Sequence, residues 1–318
     1  MRRSLRAVLV LAGVAASAPA SAQLSGDLYR GQYGLASGTQ APEGLITTLW
    51  VYDYYSTQIV GPDGSPLNTT GSLNALAVPG LNLWFVSPWK ILGANYGAVI
   101  SLYGTTPQVD LPRLNTSQST YGFGDMYVKP LELGWHTTFV DVITGLAIWL
   151  PTGSYTPGGT NTGQGQWGFE ISAGATVWFD EGHHFNFSSQ GFYDIYAPKS
   201  QSVTIAGTEY QIRTGNILSF QGGLGYQFLD GALNIGIPYS LQFKITQDEL
   251  PNGPLNIPAG ITAAKSWSIG LGAEVDFFFT ATDGITARFL QTFAGNNVSN
   301  GSSYFLFYTH VFALFGGH

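Results

Sequence analysis

Apolar and polar residues alternate with a period of two over three long stretches of the chain. In the first, Trp167, Phe169, Ile171, Ala173, Ala175, Val177 and Phe179 share one side, and Gly168, Glu170, Ser172, Gly174, Thr176 and Trp178 the other. In the second, Leu233, Ile235, Ile237, Tyr239, Leu241, Phe243 and Ile245 oppose Asn234, Gly236, Pro238, Ser240, Gln242 and Lys244. In the third, Trp267, Ile269, Leu271, Ala273, Val275, Phe277 and Phe279 face away from Ser268, Gly270, Gly272, Glu274 and Asp276. Period two is the signature of a strand with two unlike faces. Strands of soluble sandwiches average five or six residues, whereas these runs exceed ten. Trp167 and Phe179, like Trp267 and Phe279, stand twelve positions apart on the apolar side. At ~3.3 Å per residue and a tilt near 40° they lie roughly 30 Å apart, which suits two aromatic girdles flanking an apolar band. The pattern predicts an all-β fold, a transmembrane antiparallel β-barrel.

Weaker alternation places further strands at about 45–55, 76–86, 91–103, 121–129, 137–149, 183–196, 216–228, 284–294 and 303–315, about twelve in all. Their links fall into two kinds. Long stretches rich in Gly, Asn, Thr and Pro follow strands one, three, five, seven and nine, the last of them spanning 247–264. Short links intervene at 87–90, 130–136, 180–182, 229–231 and 281–283. Long extracellular loops alternating with short periplasmic turns are the rule for such barrels. Both ends of the barrel then lie on the periplasmic side. The barrel is expected over 45–318, with residues 23–44 before it as an N-terminal arm or a partial lumen plug.

Composition agrees. Only 10% of the chain is charged, 14% is aromatic, and glycine is abundant at 42 residues. A soluble protein of this size exposes more charge. Arg2, Arg3 and Arg6, an apolar run from Ala7 to Ala16 and the small residues Ala20-Ser21-Ala22 read as a cleaved export signal over 1–22. That apolar run is too short for a membrane helix, which needs about 20 residues. The chain carries no cysteine and a net charge of −7, with no basic patch for nucleic acid. The expected location is the outer membrane of a Gram-negative bacterium, and the expected partners are its lipids.

Charged residues inside strands are costly in hydrocarbon, so they should face the lumen. The candidates are Asp53, Asp125, Lys129, Asp141, Glu170, Asp194, Lys244, Glu274, Asp276 and Arg288. They either line a permeation path or pair across a packed interior. Most aromatics suit lipid contact, but Trp84, Tyr103, Tyr127, Trp178, Phe192 and Tyr196 fall on the inward side as candidates for an apolar substrate path. A lipid hydrolase would need a Ser/His pair near the outer rim. His136, His183 and His184 fall at or beside short turns, His310 within a strand and His318 in the tail, so no catalytic residue, metal or cofactor is expected.

Two stretches carry a family resemblance. Gly122-Phe123-Gly124-Asp125 followed by Pro130, and Leu150-Pro151-Thr152-Gly153-Ser154-Tyr155 followed by Asn161, Gly163, Gln164 and Trp167, resemble the signatures of the outer-membrane proteins named for the meta-pathway of phenol degradation. The resemblance implies a channel for passive uptake of small hydrophobic or aromatic compounds, and it brings no catalytic residues; the barrel is expected to act as a monomer. The alternative is a structural or surface-interaction barrel with a closed lumen and working loops.

Overall fold

The computed structural model describes residues 27–66, 71–111, 116–205, 208–249 and 265–314. The export signal over 1–22, the first residues of the expected arm, most of the loop at 247–264 and His318 lie outside the described residues. Twelve antiparallel strands close into one barrel. In chain order they are β1 (Gly44–Val60), β2 (Ser72–Ile91), β3 (Ala94–Leu111), β4 (Met126–His136), β5 (Val140–Leu150) and β6 (Gly168–Trp178). There follow β7 (Phe185–Tyr196), β8 (Ile217–Phe228), β9 (Leu233–Lys244), β10 (Ser266–Phe278), β11 (Asp283–Asn296) and β12 (Val298–Phe312). Each pairs with its neighbours in sequence, and β1 pairs with β12 from Leu45↔Phe312 to Val60↔Val298. Closure leaves no strand edge unpaired in hydrocarbon, which is the condition for crossing a membrane with strands.

Polarity explains which way most strands face. In β7, Asn186, Ser188, Gln190, Phe192, Asp194 and Tyr196 are buried, while Phe185 and Phe187 are exposed. The same split puts Ile171 and Val177 of β6, Ile235 and Ile237 of β9, and Leu271 and Val275 of β10 on the outer surface. The twelve expected strands are all present, but three details differ. Strand β2 runs past the expected turn at 87–90, and the chain reverses at Leu92-Gly93, both with positive φ. Such a pair matches the twist of the two strands it joins. The expected turn at 130–136 is instead the second half of β4. Pro130 sits in a bulge between Val128 and Leu131, where a residue without an N–H can be housed inside a strand. Above the barrel, part of the long loop after β3 adds two short strands, Thr116–Ser119 and Gly122–Phe123, to the outer end of β3.

The interior also holds chain. Residues 27–43 precede β1 and run through the barrel, from Asp27 near the long loops to Glu43 beside Asn95 at the short-turn end.

Candidate lumen and binding cavity

The inner segment is fixed most firmly in the half of the lumen nearer the short turns. Gly31 and Gln32 offer their carbonyls to Arg288 Nη1 at 2.8 and 2.7 Å. The same guanidinium holds Glu274 through two bonds of 2.5 and 2.7 Å, a two-pronged geometry that suits a buried ion pair. Leu35 is fully buried and its amide donates to Glu274 Oε1. Its side chain fits against Gly223 and Gly236, where a Cβ would come within 2.6 and 2.7 Å of Leu35 Cδ2. Further down, Gly38 N donates to Ser188 Oγ, Thr39 Oγ1 to Asp141 Oδ2 and Gln40 Nε2 to Glu132 Oε1. Gly34 and Gly38 leave no room for a side chain, since a Cβ there would overlap the Glu274 carboxylate and the Ala175 backbone.

Nearer the long loops the segment meets aromatic rings. Tyr33 packs on Phe192 at 4.7 Å between centroids, and Tyr29 packs on Tyr52, Trp50 and Tyr103 at 4.4, 6.0 and 5.5 Å. Around Tyr29 remains a cavity of about 150 Å³. Tyr52, Tyr103, Leu73 and Val109 form its apolar wall, Arg30 and Asp27 its polar floor, and the loop from Thr160 to Gln164 its roof. Burial, with Asp125 nearby, pushes the Asp27 carboxyl up to about 8, against a weaker pull from Lys199 and Tyr196.

Eight of the ten expected interior charges fall into four kinds. Lys129, Lys244 and Arg288 are buried and meet Glu132, Asp248 and Glu274 at 3.4, 2.5 and 2.5 Å. Asp141 is buried and accepts from Trp178 Nε1 and Thr39, with His136 at 3.2 Å. Glu170 and Asp194 are buried cross-strand neighbours. Tyr127 donates to Glu170, while neither oxygen of Asp194 has a partner among the described residues. Asp276, partly buried, bonds Asn234 and Thr286.

Asp53 is a correction. It lies on the outward side of β1 with Leu49 and Val51, because Trp50 and Tyr52 turn inward. Both sides of that strand are bulky, so the lone acid was a misleading guide to its inner face. Glu132 was missed for a related reason. The bulge at Pro130 reverses the alternation, so Lys129 and Glu132 both turn inward although three positions apart. Of the six candidate aromatics, Tyr127, Trp178, Phe192 and Tyr196 are buried, and Trp84 and Tyr103 partly so. The inner segment reaches Tyr103 and Phe192 directly.

Asp125 ties the loop after β5 to the strand wall. Its two oxygens accept from Gly153 N at 2.9 Å and Gln164 N at 2.6 Å, and Thr152 Oγ1 donates to Gly124 O at 3.0 Å. Gly163 must be glycine, as a Cβ there would strike the Asp125 carboxylate. The Gly122–Asp125 stretch and the 150–164 loop therefore form one hydrogen-bonded unit. A family model described as "Putative MetA-pathway of phenol degradation" matches residues 56–307, including both stretches. The chain belongs to this family.

Sequence comparison with curated proteins gives no match. Among solved structures, the COG4313 outer membrane channel from Pseudomonas putida F1 superposes with a TM-score of 0.71 at 15% identity, over 90% of this chain and 100% of that one. The transport unit of the autotransporter AIDA-I from Escherichia coli gives 0.55 at 9% identity, over 93% and 99%. The beta domain of the Bordetella autotransporter BrkA gives 0.51 at 14%, over 85% and 100%. At these identities the likeness establishes the outer-membrane barrel fold of this family member.

Proposed function

We propose that this family member is an outer-membrane channel for passive uptake of small hydrophobic or aromatic compounds, acting as a monomer after removal of the export signal. The observation that carries this reading is the aromatic-walled cavity beneath the long loops, on the side from which a solute would enter. Twelve strands suit the role, because eight-stranded barrels are filled by side chains and sixteen-stranded ones leave a wide aqueous pore. Residues 27–43 act as a plug that narrows the lumen below the cavity. The similarity to a protein described as a channel supports the reading. Nothing in the proposed role calls for a catalytic residue or a cofactor.

The second reading, a closed barrel that works through its loops, draws on the many bonds that hold the plug. Uptake of toluene, benzoate and glucose into liposomes separates the two, with the mature barrel compared with a form lacking residues 27–40. Passage of the aromatic probes through the intact barrel, with all probes faster through the deletion, supports the channel. Passage only through the deletion supports the closed barrel.

A further inference from the structure

Arg30 is a buried cation left without an anion. It is only 4% exposed, and among the described residues no carboxylate lies within ion-pair distance of it. Its Nη1 donates to Ser299 O at 2.8 Å, while its Nε, also buried, has no partner. Both Arg30 and Ser299 line the cavity. A guanidinium taken out of water without a counter-charge is costly, and a planar carboxylate is the group its fork of donors fits best.

The other carboxyls of the cavity do not serve it. Asp125 already receives two backbone amides. Asp27 is held largely protonated near neutral pH by its burial. Tyr29, Tyr52 and Tyr103 contribute aromatic rings to the same cavity, Tyr54 lies with its ring centroid 6.0 Å from the Arg30 guanidinium, and Leu73 and Val109 supply aliphatic contact. Aromatic rings pack on one another in offset or edge arrangements. A cavity of about 150 Å³ is the size that holds one benzene ring. Asn74 Oδ1, buried and without a partner, adds an acceptor for a ring hydroxyl.

We propose that this cavity is a binding site for a small aromatic monocarboxylate, with Arg30 taking the carboxylate and the tyrosines the ring. The inference rests on the channel reading and gives it a substrate class, an organic acid in preference to a bare hydrocarbon.

The test is binding of benzoate, benzyl alcohol and benzylamine to the purified refolded barrel at pH 7.5, followed by ligand-observed NMR titration. Benzoate should bind most tightly and benzylamine least. Arg30→Gln should weaken benzoate by about tenfold or more, as for loss of a charge-assisted contact, and leave benzyl alcohol unchanged. Arg30→Lys, which keeps the charge but not the fork, should fall between. The ranking on the unaltered protein needs no variant, so it stands even if Arg30→Gln does not fold. Equal affinity for benzoate and benzyl alcohol, or a preference for benzylamine, overturns the proposal. Liposome uptake of neutral aromatics without a preference for benzoate overturns it and leaves the channel reading intact, whereas absence of uptake of every probe overturns the channel reading.

Discussion

The two halves of the lumen are built on opposite plans. Toward the short turns, the inner segment is bonded to five barrel strands through Glu274, Arg288, Ser188, Asp141 and Glu132, and Leu35 fills a hollow made by two glycines. Toward the long loops, the same segment ends among tyrosines, beside open volume and an unpaired guanidinium. In the lower half the buried charges that hold the segment are paired, although Gln40 Oε1, Asn234 Oδ1 and the Asn186 amide there have no partner among the described residues. The upper half departs from this charge pairing where a ligand could supply what is missing. Under the channel reading proposed above, the base would set what can pass and the chamber above it what is captured.

The contrast breaks most severely at Arg288. Replacing it with Met strands Glu274 in the interior and frees the carbonyls of Gly31 and Gln32. Loss of one partner of a buried ion pair costs about 3–5 kcal/mol. Amide hydrogen exchange should show residues 31–35 released, with higher single-channel conductance; slow exchange throughout would remove this pair from the account of how the plug is held. Leu35→Ala tests the same half through packing alone. It should loosen the plug by about 2–3 kcal/mol, at the low end for a buried leucine because lumen water can fill part of the space. The upper half should respond differently. Asp125→Asn removes a charged acceptor from Gly153 and Gln164, worth about 1.5–3 kcal/mol for the loop. Faster proteolysis within 150–166, with protection of residues 31–40 unchanged, would show that roof and plug are independent. Parallel loss of both would merge the two halves into one unit.

Much of the wall was legible in the sequence, and the reasons it was legible also explain the failures. Strands β6, β9 and β10 have small or polar residues on one side and large apolar ones on the other, so period two identifies both the strand and its inner face. In β1 the inner face carries Trp50 and Tyr52, so the size difference vanishes and Asp53 pointed the wrong way. In β4 a single proline reverses the alternation, which hid Glu132. Pro130 itself was the available signal, had it been read as a bulge instead of a turn. The binding cavity was harder still. Tyr103 was singled out, but Arg30 and Tyr29 belong to a segment with no periodicity, whose position depends on contacts with residues up to 269 positions away. Local pattern carries no information about partners at that distance.

The smallest predicted effect concerns the long-loop end of the plug, at Asp27. Its carboxyl is pushed up to about 8, chiefly by burial and then by Asp125, with Glu170 adding repulsion and Lys199 and Tyr196 opposing the rise. When the upper end of the plug leaves its seat, Asp27 returns toward its ordinary value of 3.8. The seated form therefore binds a proton more tightly than the released form. Seating is at full strength below about pH 4, weakens as pH rises toward 8, and levels off once both forms are ionised. One proton gives at most about a tenfold change per pH unit. Lys199 is itself lowered to about 8 by burial and sheds its charge at the top of this window, so the slope is best read between pH 5 and 7. Exchange of the Leu28, Tyr29 and Arg30 amides should accelerate over that range beyond the intrinsic increase of amide exchange with pH. In Asp27→Asn, which cannot ionise, that excess should disappear. An equal excess in both proteins would transfer the pH response to Asp125, Glu170 or Asp194, the other acids that interact with Asp27.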